Sequence, residues 1–102
     1  MTQFQIWKMT HEKLPAEQQY AICSGKVAEL LQNEKVAGLK FKIHKKTKNS
    51  IRYELSGQPH HHITLDTAEH AVVFTATNIP DAEEVFAEFY SMLQRENFTL
   101  IT

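Results

Sequence analysis

Three consecutive histidines, His60, His61 and His62, stand inside the chain between the turn formers Gly57-Gln58-Pro59 and an apolar alternation that starts at Ile63. Neighbouring residues of a strand point to opposite faces of a sheet, so we expect His60 and His62 on one face and His61 on the other. Imidazoles titrate near neutral pH and serve as metal ligands, proton carriers and pH-dependent cations. This segment could therefore support metal binding, acid–base catalysis or the binding of an anion.

The strands that would flank the histidines are predicted by alternation of apolar and polar residues. Apolar residues alternate with charged ones over 39–44 and again over 51–55, with turn formers at 47–50 between them. The histidine strand continues to Leu65, and a further strand carries Val72, Phe74 and Ala76. Short connections between four successive strands favour an antiparallel meander.

Two amphipathic helices and two outer strands complete the predicted fold. A strand is expected over 3–9, a helix over 15–32, a second helix capped by Asn78, and a last strand at 98–101. The order β-α-β-β-β-β-α-β predicts a two-layer α+β sandwich, with a mainly antiparallel sheet and both helices packed on one face. The 102 residues, of which 42% are hydrophobic, fit a single domain over 1–102.

Strand register follows from the requirement that apolar residues share the face covered by the helices. It pairs Ile43 with Tyr53, Tyr53 with Ile63, and Ile63 with Val72. On the opposite face the same register predicts three rows across the strands: Lys42, Glu54 and His62; His44, Arg52 and Thr64; and Lys40, Ser56 and His60. The opposite face then carries a polar patch, which we expect to bind an anionic or polar ligand more tightly as its histidines become protonated. The residues of this patch are Lys40, Lys42, His44, Arg52, Glu54, His60 and His62. Alternatively, these charged residues only solvate the outer face of the sheet.

Other kinds of chemistry have less support in the sequence. His60, His62 and Glu54 could form a metal site with two histidines and one carboxylate, and His62 with Glu54 could form a general acid–base pair. The chain has no glycine-rich phosphate loop, nucleophile elbow or zinc-protease helix motif. We therefore expect a binding domain that is not an enzyme and needs no cofactor, and we keep the metal or acid–base site as the alternative.

Charge and cysteine content limit the setting and the partners. The net charge is only −1, but the basic residues crowd the segment 35–52, whereas acidic residues dominate from Asp66 onward. The basic residues are Lys35, Lys40, Lys42, Lys45, Lys46, Lys48 and Arg52. Because the aromatic residues of the meander belong to the predicted core, we keep nucleic acid only as a minor alternative partner. One cysteine, Cys23, and no apolar run of about 20 residues favour a cytoplasmic protein that does not cross a membrane.

The first strand suggests an interface. If Phe4 and Ile6 face the core, then Trp7 and Met9 point outward beside Val73 and could contact another copy. The basic hairpin and the acidic second helix would complement each other between two copies. The sequence therefore predicts a small interaction domain that forms a homodimer, with Trp7, Met9 and Val73 at the interface.

Overall fold

A computed structural model of the chain describes residues 3–33 and 38–101, with the backbone alone at 32 and 33. The element order is the predicted one. Eight elements follow one another: β1 (Phe4–Thr10), α1 (Ala16–Asn33), β2 (Phe41–Lys46), β3 (Ser50–Leu55), β4 (His62–Ala68), β5 (Ala71–Thr77), α2 (Ala82–Gln94) and β6 (Thr99–Ile101). The predicted α+β class with an antiparallel sheet is confirmed.

All six strands form one antiparallel sheet in the order β2-β3-β4-β5-β1-β6. The four central elements of the chain make a meander, and β1 joins it beyond β5. Ile43 lies opposite Tyr53, and Tyr53 lies opposite Ile63, as predicted. The predicted pairing of Ile63 with Val72 is wrong, because Ile63 lies opposite Ala76. The β4–β5 turn is tighter than expected, but both registers keep the same residues on the helix side.

The helices cover one face of the sheet, and aromatic rings fill much of the space between the two layers. The ring of Trp7 stacks on Phe86 with 4.4 Å between centroids, and Phe74 stacks on Phe89 at 5.1 Å. Cys23 lies in the same core on α1, where burial raises the pKa of its thiol to about 12. We therefore assign Cys23 a packing role rather than a nucleophilic one.

The predicted orientation of β1 is wrong. Trp7 lies opposite Phe74 and Met9 lies opposite Val72, so both face the helices, and Met9 is fully buried. Phe4 and Ile6 are instead exposed on the other face of the sheet. Residues of both parities are apolar in this strand, and the pairing with β5 decides which set is buried.

The side chain of Gln19 stabilises the connection between β1 and α1 through hydrogen bonds. This side chain is completely buried, accepts a hydrogen bond from the amide of His11, and donates to the carbonyl groups of His11 (3.1 Å) and Leu14 (2.8 Å). These bonds satisfy a polar group that would otherwise be costly to bury. They fix the turn by which the chain leaves the sheet for the first helix.

Asn78 does not cap α2 as predicted. The residue before the helix is Asp81, which has a left-handed backbone (φ 56°) and makes no side-chain cap bond. The Asn78 side chain instead connects the residues that precede β1 and β4. Its Oδ1 accepts a hydrogen bond from the amide of Gln3 (2.8 Å), and its Nδ2 donates one to the carbonyl of His60 (3.2 Å). Asn78 therefore fixes the start of β1 against the end of β5.

The two faces of β1 should respond differently to a charge. We expect Met9→Lys to destabilise the fold by about 3–5 kcal/mol, because it places an unpaired ammonium group in the core. Ile6→Lys should change the free energy of unfolding by no more than about 0.5 kcal/mol. Urea unfolding of both variants measures the difference, and equal losses would contradict the orientation of β1.

Candidate functional site

The candidate site is the sheet face opposite the helices, which we call the outer face. One predicted row across it is present: Lys42 lies opposite Glu54, and Glu54 lies opposite His62. Three adjacent strands therefore bring an ammonium, a carboxylate and an imidazole to the same level of the sheet. Side chains at directly opposed positions are separated by about 5 Å at Cβ, so their charges interact.

A bulge in β2 changes the second predicted row. Arg52 lies opposite Thr64 as expected, but the register of β2 shifts between Ile43 and Lys45, so Lys45 rather than His44 faces Arg52. The extra residue, His44, reaches the neighbouring row, where its Nδ1 is 3.2 Å from Oε2 of Glu54. Lys45 was not among the predicted site residues, because strict alternation would turn it toward the helices.

The third predicted row is not part of the sheet. Lys40 and His60 both lie outside the strands and are exposed. The carbonyl of Lys40 accepts a hydrogen bond from the amide of Ser56 (2.9 Å), but no strand pairing connects Ser56 to His60. Lys35, the first lysine of the basic segment, lies outside the described residues. Of the seven predicted patch residues, five therefore lie on β2, β3 and β4.

The adjacent histidines His61 and His62 have different surroundings. The Nδ1 atom of His61 lies 2.6 Å from the carbonyl oxygen of Asn78, so this ring forms a hydrogen bond with the turn that follows β5. His62 is half-buried on β4, and no described group forms a hydrogen bond with its buried Nδ1. Burial lowers the pKa of His62, and the nearby Arg52 guanidinium lowers it further. His62 therefore gains its proton at a lower pH than an ordinary histidine would.

Arg52 lines a small cleft on the outer face, which we call the cationic cleft. Its volume is about 240 Å³, and its lining residues are Lys45, Thr47, Ser50, Arg52, Thr64 and Asp66. Arg52 is half-buried, and no carboxylate lies within ion-pairing distance of it among the described residues. The carboxylate of Asp66 accepts a hydrogen bond of 2.6 Å from the Ser50 hydroxyl. The cleft thus combines two cations and several hydroxyl groups with one acid that already has a partner.

Apart from Asp66, Glu54 is the only carboxylate on strands β2, β3 and β4. Its side chain is only 12% exposed, and its ion-pair partner is His44 rather than His62. Within residues 3–33 and 38–101, no three His, Cys, Asp or Glu side chains come together in a way that could hold a metal ion. The donor set His60, His62 and Glu54 is therefore not assembled as a metal site.

Where β1 and β6 form it, the outer face carries exposed apolar side chains together with Lys8, which lies opposite Val73 and Ile101. Phe4 is 61% exposed, Ile6 54% and Ile101 44%, and Val73 of β5 lies among the residues of this face. Of the predicted interface residues, only Val73 has the expected orientation, since Trp7 and Met9 face the core. An interface on this half of the sheet would have to use Phe4 and Ile6 instead. In the part of the chain that is described, neither helix is both long and apolar enough to cross a membrane.

The environment of His62 gives a direct titration test. We expect its pKa to lie below the ordinary value of 6.5, to rise toward that value in Arg52→Gln, and to fall further in Glu54→Gln, since Glu54 favours the charged ring. Proton NMR of the imidazole over a pH series measures all three pKa values. A pKa of His62 that does not respond to the loss of Arg52 would contradict the arrangement of this row.

No protein-family model, curated protein or solved structure matches the chain significantly. The assignment of a function therefore rests on the geometry and the charges of the surfaces described above.

Proposed function

We propose that the protein is a small binding domain, not an enzyme, that holds an anionic group such as a phosphate on the outer face of its sheet. The observation that carries this proposal is the half-buried guanidinium of Arg52, which has no carboxylate partner among the described residues. Removing part of a charge from water is costly unless an opposite charge compensates for it. An anion bound at Arg52 would supply that compensation.

The cationic cleft has the donors that an oxyanion requires. Lys45 lies opposite Arg52 in the sheet, and the hydroxyl group of Thr64 lines the same cleft, whereas the Thr47 hydroxyl donates to the carbonyl of Ser50 (3.2 Å). A guanidinium binds two phosphate oxygens in parallel, and an ammonium adds a point charge. Asp66 also lines the cleft, and one of its carboxylate oxygens accepts the hydrogen bond from Ser50. The proposed position of the phosphate is between Lys45 and Arg52.

Charges around the cleft favour the same ligand. Lys42 is exposed on the outer face, and Arg52 disfavours the charged form of His62, whereas Glu54 favours it. Lys42, Lys45 and Arg52 share this part of the face with the carboxylates of Glu54 and Asp66, so positive charge is in slight excess there. An anion bound there would balance that excess.

The metal or acid–base alternative has weaker geometric support. A general base must lie within hydrogen-bonding reach of its proton donor or of the group that orients it. Glu54 contacts His44, and the buried Nδ1 of His62 has no described partner. We therefore favour binding over catalysis at these residues.

Phosphate binding can be tested by NMR titration. Inorganic phosphate should shift the backbone amides of Lys45, Arg52 and Thr64, and Arg52→Gln should weaken binding about tenfold, because it removes a charged hydrogen-bonding group. Lys13→Gln is the matched control, since it removes one positive charge from an exposed loop position far along the chain from the cleft. No shifts at phosphate concentrations up to solubility, or equal weakening by both substitutions, would contradict the proposal.

The exposed apolar residues of β1 and β6 favour a second role, in which the domain associates with another copy of itself. Phe4, Ile6 and Ile101 would supply the apolar centre of the contact. The acidic residues of α2 lie on the helix side of the sheet, so a contact through the outer face would depend on apolar packing rather than on charge pairing.

Sedimentation velocity tests this second role. We expect a dimer that persists at high salt because the contact is apolar, and we expect Phe4→Ser with Ile6→Ser to give monomers by removing the apolar centre. Ile43→Ser is the control, because Ile43 is 44% exposed but lies on the helix side of β2. A monomeric wild-type protein at every concentration and salt would overturn self-association without bearing on phosphate binding.

A further inference from the structure

The outer edge of β1 is only partly covered by its neighbour. Strand β6 pairs with Lys8–Thr10, and no described segment pairs with 4–7 on that side. An unpaired strand edge offers backbone donors and acceptors to another strand. By contrast, the edge strand at the other side of the sheet, β2, carries a bulge and several lysines, which disfavour such pairing.

The free backbone groups of this edge can be identified. The carbonyl of Gln3 accepts a bond of 2.7 Å from the amide of Asn78, and the Gln3 amide donates to the Asn78 side chain, so Gln3 bonds toward the β5 side. Backbone groups in an antiparallel strand alternate between its two neighbours. The amide and carbonyl groups of Phe4 and Ile6 therefore point toward the open side.

A groove of about 890 Å³ lies on the helix side of the sheet at the start of β1, and we call it the β1 groove. Its lining consists of Gln3, Phe4, Gln5, Ala76, Ile79, Pro80, Asp81, Ala82, Glu83 and Glu84. One wall is the start of β1 and the other is the first turn of α2. Ile79 and Ala82 are buried between them, whereas Asp81, Glu83 and Glu84 are exposed.

The three carboxylates give the β1 groove a negative charge. None of them forms an ion pair with a described residue. Acidic residues in a first turn also stabilise a helix through its dipole, so their presence alone does not specify a ligand. The unpaired backbone groups of Phe4 and Ile6 are a separate feature, and they specify a strand. Together the two features describe a site for an extended segment with positive charge.

We infer that the β1 groove binds an extended, basic peptide segment, which adds to the sheet as a strand beside 4–7. Strand addition of this kind takes affinity from backbone hydrogen bonds and specificity from alternate side chains. Alternate side chains of the added strand would point to the helix side, where Asp81, Glu83 and Glu84 favour Lys or Arg. The others would lie on the outer face beside Phe4 and Ile6, where apolar side chains fit. This site goes beyond phosphate binding, has the opposite charge and does not depend on it.

Hydrogen exchange tests this inference residue by residue. The probe is the peptide acetyl-Lys-Val-Lys-Val-Lys-Val-amide, and its counterpart with Glu in place of Lys is the control. At saturation with the Lys peptide, exchange of the Phe4 and Ile6 amides should slow by about tenfold or more, as expected when a hydrogen bond forms. The amide of Trp7, which bonds toward β5, should exchange at an unchanged rate.

Two pairs of variants separate the contribution of the backbone hydrogen bonds to peptide binding from that of the acidic side chains. Phe4→Pro removes an outward amide without affecting the bonds to β5, and Phe4→Ala removes the side chain alone. We expect the Lys peptide to bind about tenfold more weakly to Phe4→Pro than to Phe4→Ala. Glu83→Gln with Glu84→Gln should weaken binding and reduce its salt dependence, whereas Glu88→Gln, later on α2, should not.

Several results would overturn the inference. They are no binding of the Lys peptide at millimolar concentration, equal binding of the Glu peptide, or unchanged exchange at Phe4 and Ile6 when the peptide is bound. The exchange measurement uses the wild-type protein, so it remains decisive even if Phe4→Pro fails to fold. Phosphate titration reports on Arg52 at the other side of the sheet, so failure of one site can be told from failure of the other.

Discussion

The packing of both helices against one face of the sheet determines the rest of the structure. Rings from both layers hold this contact, with Trp7 stacked on Phe86 and Phe74 stacked on Phe89. Because side chains alternate along a strand, burial of one set forces the other set to the opposite face. The outer face, its cations and its exposed apolar residues are consequences of this one-sided packing. A third layer would bury charges that have no partners.

The small net charge of the chain conceals two charged surfaces of opposite sign. The β2 bulge places Lys45 opposite Arg52 and brings His44 to Glu54, which concentrates positive charge at one side of the sheet. The turn after β5 places Asp81 and the first residues of α2 at the other side of the sheet, close to the start of β1. These two surfaces are the basis for the proposal of two separate binding sites, one for an anion and one for a basic strand.

Sequence alone predicted the strands of the meander, because the apolar residues of β2, β3 and β4 fall almost entirely on one parity, but it did not predict the register of β4 with β5, where Val72 and Val73 are both apolar. It failed at β1, where Phe4 and Ile6 are as apolar as Trp7 and Met9, so alternation could not decide between the faces. The bulge at Lys45 leaves no mark in the alternation of residues 39–44. The free edge of β1 could not be predicted from the sequence either. It depends on how far β6 extends along β1, and tertiary pairing determines that extent.

The central claim is that the outer face beside Arg52 and the β1 groove beside Glu83 and Glu84 carry opposite potentials. Paramagnetic relaxation of amide protons by cationic and anionic probe molecules measures that potential at each residue. We expect the anionic probe to be enriched at Lys45 and Arg52, and the cationic probe to be enriched at Glu83 and Glu84. Equal enrichment of both probes at these two surfaces would contradict it.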